Sequence, residues 1–175
     1  MLSQKMIDTL NDQIRVEFES SNLYLQMAAW CAVKGLEGGT AFLSIHAEEE
    51  RMHGMKLFTY LSEIGALALV PAQEKPQHEY TSLEAMFTQI LEHEKFVTGR
   101  INTLVALAYE EKDYSTLNFL QWYVSEQHEE EALFSALLDK IRMIGHEGRG
   151  LYFIDKELGK KAMASAAASA AKTAA

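Results

Sequence analysis

Apolar residues recur in alternating three- and four-residue steps along four long stretches of the chain. The first reads Leu10, Ile14, Glu17, Ser21, Tyr24, Ala28, Cys31, and the second Leu43, His46, Glu50, His53, Leu57, Tyr60, Ile64. The third reads Leu83, Phe87, Ile90, Glu94, Val97, Ile101, Leu104, and the fourth Leu120, Tyr123, Gln127, Glu130, Phe134, Leu137, Ile141. Steps of three and four keep residues on one face of a helix, and that face packs inward. The pattern predicts helices over about 3–34, 40–65, 82–111 and 113–144. Ser3, Ser82 and Asp113 stand where N-caps are needed, and Glu84 places an acid in the first turn of the third helix. Gly35, Gly38 and Gly39 mark the first turn, and Gly145, Gly148 and Gly150 break the chain after the fourth helix. A short apolar segment follows over 151–158, and then a tail of mostly Ala and Ser from Ala162.

Connection lengths set the topology. Helices one and two, and helices three and four, are joined by a few residues, so each pair is an antiparallel hairpin. The middle connection, residues 66–81, holds both prolines of the chain, Pro71 and Pro76, and lacks helical periodicity. It is long enough to run the length of a bundle. The expected fold is all-α: a four-helix bundle of two hairpins with one long crossover, plus a short C-terminal fifth helix.

Each stripe is broken near its middle by a residue that binds metal. A buried carboxylate costs several kcal/mol unless something neutralises it. The helix midpoints fall at roughly residues 18, 53, 97 and 129, and one turn is about 5.4 Å. Glu17, Glu50 with His53, Glu94, and Gln127 with Glu130 lie within about one turn of those midpoints. The polar residues should therefore meet in one layer, which points to a shared cation.

The spacing within that layer narrows the chemistry. Glu50 and His53 are at i and i+3, so both can bind one ion. Glu17, Glu94 and Glu130 add carboxylates from three other helices. Oxygen-rich ligands with an imidazole suit iron or manganese. A symmetric di-iron bundle carries two Glu-x-x-His motifs. This chain carries one, with Gln127 and Glu130 on the fourth helix, so the second position is weaker and suits loading and release. Glu49 with Glu126, Glu129 and Glu130 can form a third cation site, or simply a solvated acidic face. His46 reads as a satisfied core residue, His93 and His128 as surface or interface residues, and Trp122, Met27, Met52 and Met55 as packing residues.

Composition excludes other classes. The chain has 175 residues, 48% of them hydrophobic, and a net charge of −9, which disfavours nucleic acid and favours cations. No apolar run approaches the ~20 residues of a membrane span, and no signal-peptide core opens the chain. Cys31 is the single cysteine, so no internal disulfide forms. A cytoplasmic location is expected.

The chain resembles the bacterial non-haem ferritins over about residues 1–160. The likeness rests on Glu17 with Tyr24, Glu50-Arg51-Met52-His53, Glu94, and Glu126-Gln127-His128-Glu129-Glu130. The resemblance implies iron storage and detoxification. Glu17, Glu50, His53, Glu94, Gln127 and Glu130 would form a ferroxidase centre that oxidises Fe(II) with dioxygen or peroxide. Glu49, Glu126, Glu129 and Glu130 would form a third iron site, and Tyr24 would donate an electron or serve as a core hydrogen-bond donor. The subunits would enclose ferric mineral in a homo-oligomeric cage of roughly 24 copies. Residues 1–161 would be the bundle domain with its fifth helix over about 149–160, and 162–175 a tail with no family counterpart. Animal ferritins carry a pore acid pair where this chain has Leu117 and Leu120.

Three other readings compete. A haem-binding bacterioferritin has Met directly after the helix-two Glu. Here Arg51 follows Glu50, and Met52 is turned by about 100°, so no haem is expected. A small di-iron or di-manganese redox enzyme would need two well-furnished metal positions. A metal-free scaffold would leave the aligned buried acids unexplained.

Overall fold

The three predicted caps are all made. Ser3 Oγ accepts from the Met6 amide at 3.0 Å, Ser82 Oγ from the Ala85 amide at 3.0 Å, and Asp113 Oδ1 from the Thr116 amide at 3.2 Å. Each satisfies one orphan N–H of a helix start, worth about 1 kcal/mol. The computed structural model describes residues 2–145 and 147–173, with side chains up to residue 167. Its helices are α1 (Gln4–Val33), α2 (Glu37–Glu63), α3 (Leu83–Glu110), α4 (Tyr114–Ile144) and α5 (Gly148–Thr173). No strand occurs among the described residues.

The start of α2 departs from the sequence reading. It begins at Glu37 rather than near residue 40, and Leu36 at its cap offers no side-chain acceptor. Gly35, at φ +73°, makes the turn. Gly38 and Gly39 lie inside the helix, where they admit α5. A Cβ on Gly38 would stand 1.8 Å from the Asp155 carbonyl oxygen. Asp155 Oδ1 in turn accepts from the Gly39 amide at 2.8 Å. A carboxylate of α5 thus supplies the acceptor that α2 lacks, and its charge suits a helix N-terminus.

The helices pair as predicted, α1 along α2 and α3 along α4, with α5 laid against α2 and α4. The crossover follows α1. Asn11 Nδ2 donates to the Leu67 carbonyl at 3.1 Å, and Asn11 Oδ1 accepts from the Leu69 amide at 2.8 Å. The predicted fifth helix is present and continues through the Ala-rich stretch to Thr173. Alanine has the best helix propensity, and Ala162 itself is buried in the core.

Nearly every seam residue is buried. The exceptions are Ser21, Tyr60 and Ile64. A 3.6-residue helix drifts by about 20° per heptad from a 3.5-residue pattern, and at the end of α2 Leu61 has rotated into the core instead. The apolar core is in two parts. One gathers Tyr24, Phe42, Phe87 and Phe134 with Ile154 and Leu158 of α5. The other gathers Leu10, Ile14, Leu57, Ile101, Leu120 and Tyr123. The predicted polar layer supplies most of the core's buried polar groups: Glu17, Glu50, His53, Glu94, Gln127 and Glu130 are all buried.

Candidate metal centre

Glu17 of α1 and Glu50 and His53 of α2 converge. One ligand atom from each lies within 4.8 Å of the other two, and all three side chains are buried. His53 Nδ1 is 3.4 Å from Glu50 Oε2. Neighbouring groups hold the cluster in place. Gln13 Nε2 donates to Glu17 Oε1 at 2.9 Å, and the Tyr123 hydroxyl donates to the His53 carbonyl at 2.7 Å. From the opposite hairpin, Glu94 accepts from the Tyr24 hydroxyl and from Gln127 Nε2, the latter at 3.1 Å. Glu17 Oε2 and Glu130 Oε2 are buried and make no hydrogen bond. A buried carboxylate oxygen without a donor is costly and calls for a proton or a cation.

The electrostatics agree. Burial, reinforced by the Glu50 charge, raises the Glu17 carboxyl well above the usual range. Burial and then the charges of Glu94 and Glu130 do the same to Glu50. Burial raises Glu94 too, although hydrogen bonds from Tyr24 and Gln127 oppose the rise. Burial and the Glu94 charge push Glu130 up to about 9. These four acids cannot all ionise side by side in a metal-free core. A pair of divalent cations would replace the protons and remove the conflict.

A second cluster adjoins the first. His46, Glu49 and Glu130 each place a ligand atom within 4.8 Å of the other two. His46 Nδ1 lies 3.2 Å from Glu49 Oε2 and 3.7 Å from Glu130 Oε1. Burial holds the His46 imidazole down at about 4, so the ring is neutral near pH 7. The expectation that His46 is a satisfied core residue does not hold, since its Nδ1 is buried and makes no hydrogen bond. The signal was in the sequence: His46-x-x-Glu49 has the same i, i+3 spacing as Glu50-x-x-His53, in reverse order. Glu126 and Glu129 line a cavity of about 640 Å³ that this cluster also faces, without joining either group of three.

Residues 7–144 match the family model of the ferritin-like domain. Over 159 residues the chain is 58% identical to a probable bacterial non-heme ferritin-like protein of Haemophilus influenzae, covering 91% of this chain and 96% of that one. The chain belongs to the bacterial non-haem ferritins. A bacterial non-heme ferritin of Escherichia coli O6:H1 is 50% identical over 158 residues, covering 90% of this chain and 96% of the relative. Among solved structures, an open pore ferritin of the hyperthermophilic archaeon Archaeoglobus fulgidus superposes with a TM-score of 0.88 at 45% identity, covering 91% of this chain and 98% of that one. A ferritin of Chlorobium tepidum superposes at 0.81 with 48% identity, covering 90% and 97%.

The remaining side chains of this ferritin fall into place around the layer. Trp122 meets the His53 ring edge-on at 5.2 Å, with Lys56 Nζ 4.4 Å from the centre of its own ring. His93 is half-buried and contacts Ser20 Oγ through Nε2 at 2.7 Å, whereas His128 is exposed. Arg51 ion-pairs with Glu48 on the outer face of α2, and Met52 is exposed beside it. Leu120 is fully buried in the second apolar cluster, and Leu117, partly buried, packs against it. Among the described residues, no helix is long and apolar enough to cross a membrane.

Proposed function

We propose that this ferritin stores iron in the cytoplasm as a ferroxidase cage. It oxidises Fe(II) with dioxygen at the layer described above and deposits ferric mineral inside a shell of roughly 24 subunits. One observation carries the reading: buried donors from all four bundle helices occupy one layer, and two of their carboxylate oxygens have no partner.

In this reading Glu17, Glu50 and His53 take the first ferrous ion. Glu94 and Glu130, with Gln127 beside them, take the second. Glu50 feels the charges of Glu94 and Glu130 and contacts Glu17, which makes it the carboxylate that spans the two positions. The ions enter as protons leave the raised carboxyl groups. Two ferrous ions held together give one electron each to a single dioxygen, so superoxide is not released. The surrounding carboxylates favour the higher charge of Fe(III). The second position has no histidine, and its weaker hold suits an ion that must move on to the mineral.

Iron stoichiometry tests the reading. Metal-free assembled protein is loaded anaerobically with Fe(II), exposed to air, and followed by absorbance and particle sizing. Storage requires many iron ions per subunit within an intact shell. A plateau at a few ions per subunit would instead identify a small di-iron redox enzyme.

A further inference from the structure

Trp122 is the indole that stands against a residue of the layer. Its ring meets the His53 imidazole edge-on, with centroids 5.2 Å apart, and meets the Tyr123 ring edge-on at 4.8 Å. Trp122 is half-buried and lines the cavity of about 640 Å³ beside the layer. The other tryptophan of the chain, Trp30, packs against Tyr80 at the edge of the first apolar cluster. Indole is among the side chains that lose a single electron most readily. In ring contact with His53, Trp122 is where an electron meant to come from a ferrous ion can be drawn from the protein instead.

Lys56 sits on this ring. It follows His53 by three residues, so the two side chains project from one face of α2, and Trp122 reaches across from α4 to touch both. Lys56 Nζ lies 4.4 Å from the centre of the indole. An ammonium over the π face is attracted to the neutral ring. Oxidation removes an electron from that face, so the attraction becomes repulsion between two like charges. We infer that Lys56 is a redox-positioning residue: its ammonium makes the indole beside His53 harder to oxidise, so that electrons reaching dioxygen come from ferrous ions and not from Trp122. The residue acts through Trp122 and takes no part in binding iron. Its protective role rests on the function proposed above; its effect on the indole does not.

The test uses the assembled full-length protein carrying Trp30→Phe, which leaves Trp122 as the sole indole. Without metal, the oxidant is triplet riboflavin, whose lack of charge removes any steering by Lys56. It takes one electron from Trp122, and the Nε1 proton leaves to water. Lys56→Met, which keeps the length of the side chain and removes its charge, should raise the yield of indolyl radical at least about two- to fivefold. Lys56→Arg should leave it unchanged. Quenching of Trp122 fluorescence by acrylamide reads access alone and should be equal in the two variants. An unchanged radical yield in Lys56→Met would overturn the inference. So would an equal rise in Lys56→Arg, or a rise matched by greater quenching. With Fe(II) and oxygen over repeated turnovers, mass spectrometry should find a larger oxidised fraction of Trp122 in Lys56→Met than in Lys56→Arg. A riboflavin effect of the expected size, with Trp122 intact after iron turnover in every variant, would support the tuning by Lys56 and count against oxidation at the layer.

Discussion

Two groups of ligands share helix α2, one turn apart and in mirror order. Glu50-x-x-His53 meets Glu17 in the core, with His53 alone of the three on the wall of a cavity, and His46-x-x-Glu49 meets Glu130 with all three on that wall. The two glutamates differ sharply in exposure. The Glu50 side chain is 4% exposed and the Glu49 side chain 34%. Adjacent residues on a helix point about 100° apart, so one step along the chain moves a carboxylate from a sealed site to an open one. The sealed group is also braced, by Gln13 on Glu17 and by Tyr123 on the His53 carbonyl. In the second group, the rings of Phe42 and Phe134 pack against His46. A sealed, braced group suits a step that demands fixed geometry, whereas an open one suits exchange of ions.

The largest effect should come from removing a ligand of the sealed group. Glu50→Ala or His53→Ala should lower the rate of rapid Fe(II) oxidation by more than about 100-fold, since even an outer partner of a ligand is worth about 10–100-fold. Shell assembly should persist, as judged by sizing. Undiminished oxidation in both variants would refute the assignment.

The next effect is on pH dependence. Burial raises Glu17, Glu50, Glu94 and Glu130, so the folded metal-free protein binds more protons than the unfolded chain. Their contribution to stability is complete below the ordinary value of 4.5 and is lost as pH rises, through about 9 for Glu130. His46 and His93 act in the opposite sense, because burial lowers them from 6.5, and their loss is confined to lower pH. Between about 6.5 and 9 the carboxyl effect therefore stands alone. The metal-free protein should melt at a steadily lower temperature across that window. Zinc-loaded protein should not follow it, because the cation has replaced the protons. A metal-free melting temperature that rises over the same range would contradict the assigned burial cost.

A smaller change should follow from Gln13→Leu, which removes the donor to Glu17 Oε1 while keeping a similar volume. Metal affinity of the sealed group should fall by about tenfold. Affinity at His46 should change far less, and calorimetric titration can resolve the two. An equal loss at both sites would mean that the two groups are not independent.

Tyr24→Phe should have the mildest effect. It deletes the hydrogen bond to Glu94 inside a stacked aromatic pair, with Phe134 at 5.9 Å. The expected cost is about 1–2 kcal/mol of stability, read by denaturant unfolding. If the residue also gives up an electron, a transient tyrosyl radical should appear on mixing with Fe(II) and oxygen and vanish in the variant. Its absence from the unmodified protein would leave Tyr24 as a hydrogen-bond donor alone.

Much of the layer could be read in the chain because buried acids break a regular pattern. Glu17, Glu50, Glu94 and Glu130 stand out on otherwise apolar seams, and all four proved buried. Ser3, Ser82 and Asp113 were equally legible, since a cap is a local feature. His46 reads as a core residue because a lone seam histidine is usually satisfied by its neighbours, even though its spacing to Glu49 matches that of Glu50 and His53. The chain could not reveal that its Nδ1 finds no donor or acceptor in hydrogen-bonding geometry, which depends on three aromatic rings from α1, α2 and α4. Gly38 and Gly39 read as a turn for a similar reason, although they lie inside α2. A glycine that admits another backbone looks the same in sequence as one that bends its own.

Periodicity, capping and connection length depend on residues near one another in the chain, and they determined the helices, their pairing and the height of the polar layer. Tertiary structure alone decided which atoms of that layer touch, which acids stay open to a cavity, and how α5 supplies the missing cap of α2. Those outcomes follow from side chains on separate helices meeting at distances of a few ångströms, where a single rotamer or a Cβ changes the result and helical periodicity sets only the face.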